Sequence, residues 1–456
     1  MQQADRRSGS RLLTGGLVFM VTATAFEGLA VPTVLPAALE ELGGLPLYGW
    51  AFAAFWLTNL IGITVAGHEA DRRGPLAPFL AGVTLFAVGL GVAAVAPSMA
   101  WVVAGRVIQG LGAGAIASII YVVIARGYST AEQPRMIAVI SSAWVLPGII
   151  GPAAAGYVAQ ELSWRWAFAA LVPLLPLAAL LLVGPMRRLA AAAPSAGPSG
   201  AARRMLDAVQ LAIAAGLLLA AGGAGHPALS AAAVLAGGVL IVRPLQRLLP
   251  GGTLRARPGQ GAITALIALV SAAFFGAEAF VPLSVSSVRG AGTIVGGLSL
   301  AAAAVTWAAG SWVQARLGDR SHRGGLVAGG VALIGVGIAI EAAVPVSSLP
   351  VYAAAAGWAV AGLGMGISYS LATLLIIRSA PTGEEGAASA SIQLAEALGI
   401  ALGTGLAGSI VAIATARVGL APAIAVAELL MLVLAGITIA ICGRLLPGVD
   451  TLNGKR

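Results

Sequence analysis

Charge is scarce in this chain. Asp, Glu, Lys and Arg make up 9% of its 456 residues. Soluble domains carry about a quarter, so a water-facing surface along the whole chain is excluded. There is one cysteine, Cys442, which excludes an internal disulfide and a cysteine metal cluster. The three histidines, His68, His226 and His322, fall in expected loops, so no buried His metal site is expected. No G-x-x-x-x-G-K-[ST] stretch is present, and ATP is therefore not the expected drive. No nucleophile, base and orienting group share an apolar run, and no appended soluble sensor domain is expected. The expectation is a protein that is no enzyme and uses no cofactor or metal.

What is abundant is apolar surface: 59% of residues are hydrophobic, with a mean hydropathy of +0.95. Gly and Ala are frequent, which suits close helix packing in lipid. Apolar runs long enough to span a bilayer recur at 12–39, 47–67, 76–96, 99–126, 135–160 and 165–186. A weaker pair follows at 206–224 and 228–242, the second short and ended by Arg243. Six more lie at 260–286, 293–317, 325–345, 350–378, 385–417 and 420–446. The expected fold is an all-α polytopic membrane protein with 14 spans, grouped six, two and six. The first run follows Arg6, Arg7 and Arg11 but is too long for a signal peptide, and reads as a retained span.

The bases fix an expected orientation. With the N-terminus inside, nearly all of them fall in cytoplasmic segments, and the outer loops hold only Arg165, Arg289 and Arg417. That is the positive-inside pattern. It puts both termini in the cytoplasm and explains the net charge of +9 without a nucleic-acid partner. The low-complexity stretch from Ala190 to Ala202 is a flexible linker. The expected domains are a six-helix bundle over 1–189, a linker with two extra spans over 190–258, and a second six-helix bundle over 259–456.

Several polar groups fall inside apolar runs. Glu27 lies near the middle of the first, where an unpaired carboxylate costs at least about 2.5 kcal/mol. Glu278, Glu396 and Glu428 are further buried acids, whereas Glu341 lies near an outer end and reads as interfacial. Arg106 is a permanent cation inside a span, suited to neutralising an acid. The plainer alternatives are a protonated, hydrogen-bonded Glu27 and a snorkelling Arg106. Asn59, Tyr121, Trp144, Trp307, Tyr369 and Gln393, the last three residues before Glu396, are candidate cavity groups, each also explicable as packing. The halves echo each other: Glu27 precedes Pro32 in the first lead helix, and Glu278 precedes Pro282 in the second.

Five elements in order carry a resemblance. The stretch Gly67-His-Glu-Ala-Asp71-Arg72-Arg73-Gly74 resembles the G-x-x-x-D-R-x-G loop of the major facilitator superfamily, and Asp319-Arg320 occupies the matching loop of the second half. Arg106-Val-Ile-Gln109-Gly110 resembles its R-x-x-Q-G element. Gly148, Gly151, Pro152 and Gly156 are similar to the Gly-Pro motif of its drug:proton antiporters, although one glycine is missing and Pro147 is extra. Ser163-Trp164-Arg165 follows as in the same group, and the run from Glu27 to Pro36 resembles the acid-to-proline element of the fourteen-span drug antiporters, with Glu27 in place of the usual Asp; Glu69 stands where an apolar residue is usual in the Gly67 loop.

The resemblance implies two six-helix bundles that rock about a central cavity. It implies that Gly67, Asp71, Arg72, Gly74, Asp319 and Arg320 act in gating, with Asp71 a latch to a helix N-terminus or to an Arg across the bundle interface; the plainer alternative is a solvated turn that holds topology through Arg72 and Arg73. Gly148, Gly151, Pro152 and Gly156 belong to the sliding surface. Glu27, Glu278 and Arg106 are the expected proton-coupling residues. The expected function is proton-coupled export of hydrophobic, cationic small molecules, by a monomer in a bacterial plasma membrane. Export of a lipid or native metabolite is the alternative; a membrane enzyme or sensor is the alternative of another class.

Overall fold

A backbone in lipid must satisfy its own N–H and C=O groups, and a helix does so within one segment. The computed structural model describes residues 2–129, 132–189, 199–223, 226–317, 323–379 and 385–449. Among them there is no strand. Thirteen helical segments are long and apolar enough to cross a membrane.

The first half comprises α1 (Gln2–Leu42), α2 (Tyr48–Arg73), α3 (Leu76–Ala94), α4 (Met99–Gly127), α5 (Gln133–Ser142), α6 (Val145–Glu161), α7 (Arg165–Ala169) and α8 (Leu174–Arg188). The fifth expected span is thus broken at Ala143–Trp144 and the sixth before Pro173. Next come α9 (Ser199–Ala220) and α10 (Pro227–Leu248). The second half holds α11 (Gln260–Glu278), the single turn α12 (Val281–Leu283), α13 (Gly292–Leu317), α14 (Arg323–Ala343), α15 (Ala353–Ser379), α16 (Glu385–Val418) and α17 (Leu420–Val449).

Three expectations need correction. Gly67 to Arg73 is not a loop: α2 runs on to Arg73, with His68 inside it. Only Gly74 makes the turn, with a φ of 84° that a side chain resists. Arg243 does not end the second linker helix, which continues to Leu248. Arg243 is exposed, so its charge can leave the apolar face while its stem stays on it. Glu341 is near the end of α14, but only 1% of it is exposed, because protein covers it. The partner helix α9 is not among the thirteen, since Arg203, Arg204 and Asp207 occupy its first half. It pairs with α10 through Asp207 and Arg247 at 3.0 Å. Its apolar face (Leu211, Ala212, Ala215, Leu219) lies against α2 and α16.

The halves meet through α6 on α13 and α2 on α16. Small residues permit the approach. A Cβ on Gly49 would stand 2.6 Å from the Gly408 Cα, and one on Gly156 2.7 Å from the Thr293 carbonyl oxygen. Three hydrogen bonds cross at the end where α1 terminates. Ser287 Oγ donates to Glu40 Oε1 at 2.9 Å, Thr293 Oγ1 to the Gly156 carbonyl at 2.9 Å, and Tyr48 Oη to the Ala279 carbonyl at 3.0 Å. The last falls one residue past the end of α11. Pro282 has no N–H for the carbonyl of Glu278, four residues back, and α11 stops there. The backbone loosened at the break is met by a buried hydroxyl from the other half.

Candidate functional site

Two polar centres face different surroundings, one in each half. In the first, α1 carries Glu27 and α4 carries Arg106, and both side chains are at most 3% exposed. Arg106 Nη1 donates to Glu27 Oε1 and, at 2.6 Å, to Gln109 Oε1. Arg106 Nε donates to the Ala51 carbonyl of α2 at 2.9 Å. The guanidinium also lies 4.1 Å from the centre of the Phe55 ring. Gln109 sits three residues along α4, hence on the same face as Arg106. Glu27 Oε2 and Gln109 Nε2 are buried without partners.

An ion pair this deep is costly to desolvate and needs further hydrogen bonds to offset that cost. The carbonyl, the amide and the ring face supply them, all on the arginine side. The carboxylate side is left with one free oxygen. Gln109 and Ala51 are the residues that reading the sequence for charged groups does not assign. The R-x-x-Q spacing is the signal for Gln109; a backbone carbonyl leaves none.

In the second half, Glu278 ends α11 and is half-buried. Its Oε2 accepts from Trp358 Nε1 at 3.3 Å. Trp358 stacks on Phe274 with centroids 4.8 Å apart, and Trp307 meets Phe274 at 5.6 Å and Tyr369 at 5.9 Å, both edge-on. Glu396 of α16 lies within electrostatic reach of Tyr369 and of Tyr121, which α4 contributes from the first half. Tyr121, Trp307, Tyr369 and Glu396 are therefore brought into one region. Glu278 is not joined to Glu27; each keeps its own partner in its own half.

The other expected residues are placed as follows. Gly148 faces Ala304 of α13, Gly151 faces Phe26 of α1, and Pro152 and Gly156 lie under Gly297 and Thr293 of α13. Asn59 is buried where α2 meets Gly114 of α4. Trp144 is exposed at the break between α5 and α6, and Gln393 is half-buried. Gly67 packs near Ser118 of α4. Asp71 takes a base of its own half, not an Arg across the bundle interface: Arg126 Nη2 donates to Asp71 Oδ1 at 2.7 Å, and Nη1 to the Ala70 carbonyl at 3.2 Å. Arg72 and Arg73 pair with Glu69 at 3.5 and 3.3 Å on the surface. Asp319 and Arg320 lie outside the described residues. Among the described residues no group of three or more His, Cys, Asp or Glu is placed to hold a metal.

Residues 15–404 match the family model described as Major Facilitator Superfamily. A probable multidrug-efflux transporter of Mycobacterium tuberculosis is 29% identical over 88% of this chain and 87% of its own length. A multidrug transporter protein of Bacillus subtilis is 27% identical over 37% of this chain and 31% of its own. Among solved structures, a POT family transporter in complex with 5-aminolevulinic acid superposes with a TM-score of 0.69 at 12% identity, over 95% of this chain and 96% of that one. The human organic anion transporter MFSD10 does so with a TM-score of 0.58 at 16% identity, over 93% and 99%. At such identities the likeness is one of fold.

Proposed function

The chain belongs to the Major Facilitator Superfamily, a family of membrane transporters, and on that premise we propose that it exports hydrophobic, cationic small molecules in exchange for protons. It carries small molecules across a membrane; the proton, the cation and the direction are our reading. The observation that carries it is the Glu27–Arg106 pair, with one carboxylate oxygen buried and free.

Glu27 Oε2 is the atom that receives the proton. Protonation removes the charge that holds Arg106 to α1. Arg106 is not stranded, because the Ala51 carbonyl, Gln109 Oε1 and the Phe55 face remain. Loading therefore loosens α1 from α4 without leaving a bare cation in the membrane, and release restores the bond. The hydrophobic body of a substrate rests on Trp307 and Tyr369, and its charge faces Glu396. Both bundles closing at the Glu40 and Tyr48 end supports access from the opposite end, which the arginine distribution puts in the cytosol. In this reading residues 1–189 and 259–456 are the rocking units, residues 190–258 join them, and the protein works as a monomer in a bacterial plasma membrane. A relative named a multidrug-efflux transporter supports the substrate class.

The test is reconstituted transport of one cationic and one neutral compound, with and without a pH difference, in wild type and Glu27→Gln. Glutamine keeps size but cannot titrate. Gradient-driven efflux is expected to fail for both compounds, while downhill exchange survives. Selective loss of the cationic compound would make Glu27 a substrate contact instead. Full gradient-driven efflux of both would overturn the assignment.

A further inference from the structure

Two buried acids play no part in the sites above. Along α14, Ile334, Ile338 and Glu341 form one buried stripe; along α17, Ile424, Glu428, Met431 and Ala435 form another. The helices pack against each other, and Gly335 of α14 abuts Leu432 of α17. Each stripe thus has one carboxyl in an apolar run. Glu341 is 1% and Glu428 2% exposed. Both oxygens of Glu341 and Oε2 of Glu428 are buried without a partner, and Glu341 feels the charge of Glu428.

Among the described residues no base pairs with either. On α11, Glu278 is held by Trp358. On α15, Gly357 packs on Ile340 of α14, and its neighbour Trp358 is fully buried. Past the end of α14, Arg289 is spent on the carbonyls of Val344, Ser347 and Leu349, at 2.8, 2.6 and 2.7 Å. On α16, Glu396 faces Tyr369, and Arg417 is exposed in the last turn. Two ionised carboxylates within electrostatic reach of one another between these packed helices repel, with their hydration lost. One proton bound by the pair removes the repulsion between them.

We propose that Glu341 and Glu428 form a proton-binding site inside the second bundle, apart from the Glu27 centre, whose occupancy sets how closely α14 packs on α17. The site stands on burial, on the unpartnered oxygens and on the packing of α14 against α17, and needs no assumption about what the protein transports.

Proton release on unfolding tests it. Wild type and Glu341→Gln/Glu428→Gln are purified in detergent at neutral pH and denatured, and the released protons are counted. The pair holds a proton that the unfolded carboxyls, with ordinary pKa values near 4.3, do not, so wild type releases about one proton more than the double variant. The single variant Glu341→Gln, whose amide can donate to Glu428 in the proton's place, matches the double variant and keeps the test available if the double variant does not fold. Equal release in all three overturns the proposal, and so does a difference of about two protons, which means two independent neutral acids. A melting temperature that rises with sodium in wild type but not in the variants overturns it too, since a metal cation would then fill the site.

Discussion

The two lead helices begin from the same sequence idea and end in different chemistry. In α1, Glu27 is followed five residues later by Pro32, and the helix runs on through Pro32 and Pro36 to Leu42. In α11, Glu278 is followed four residues later by Pro282, and the helix ends at Glu278 itself. The difference in spacing decides which carbonyl loses its N–H. At Pro32 it belongs to Gly28, and at Pro282 to the acid. The acids then part company. Glu27 is sealed in an ion pair with a permanent cation, whereas Glu278 is half-buried and held by an indole N–H. A repeat in sequence position is therefore no guarantee of a repeat in role: the first half supplies a charge balance, the second an aromatic wall.

The comparison breaks most easily at Arg106. Arg106→Met leaves Glu27 buried without its cation, and removing one partner of such a pair costs about 3–5 kcal/mol. Thermal unfolding in detergent should show a large loss, mostly recovered when Glu27→Leu is added to the variant. Glu278→Gln, which deletes no ion pair, should sit close to wild type in the same assay. Equal losses at Arg106 and Glu278 would mean that the halves are balanced alike.

A smaller effect is expected where the halves touch. Tyr48→Phe removes the donor to the Ala279 carbonyl but keeps the ring against Phe280, 5.3 Å away. A buried acceptor left unsatisfied costs about 1–3 kcal/mol. That loss falls on the closed arrangement of this end, so cysteine pairs reporting separation of α2 and α11 there should open more often. Unchanged accessibility would show that the break in α11 needs no help from α2.

Smaller again is Trp358→Phe. It deletes the N–H given to Glu278 and keeps a ring for Phe274 to stack on. The net worth of such a bond is about 0.5–1.5 kcal/mol. A melting shift as large as that of Arg106→Met would make the second-half acid as dependent on one partner as the first.

How far the sequence discloses this follows from the physics of each feature. The all-helical membrane class is written in the length of apolar runs, because lipid forbids anything else. The span number is less legible: fourteen runs are expected, and α9 is not among the thirteen helices that qualify. The pairing of Glu27 with Arg106 is legible as need: each is unaffordable alone, and each lies in a span of the same half. Helix ends are less legible. Gly67 resembles a turn glycine, yet it serves as a smooth face against α4, and only Gly74 takes the positive φ. Burial by protein as against lipid is not legible from one helix. Glu341 lies near a helix end, and the helices packed against α14 enclose it. The region around Glu396 is legible residue by residue, but its assembly from α4, α15 and α16 depends on how the halves sit together.

The smallest expected change in stability is at Asp71. Its side chain is 69% exposed and Arg126 21%, at 2.7 Å. Exposed pairs are worth about 0–1 kcal/mol, so Asp71→Asn should leave the melting temperature nearly unmoved. Transport is a separate matter in our reading. Arg126 also donates to the Ala70 carbonyl, so Asp71 and Arg126 clamp the last turn of α2 to the last turn of α4. If the first half rocks as one body, that clamp keeps its ends together while the halves separate, and Asp71→Asn should slow turnover with the fold intact. Arg126→Gln should slow it as much, and the double variant no more than either single one, since both remove one contact. Additive slowing would mean that Asp71 and Arg126 act through different partners, and that the clamp within the first half is not what the loop provides. Turnover equal to wild type in Asp71→Asn would reduce the pair to a surface contact.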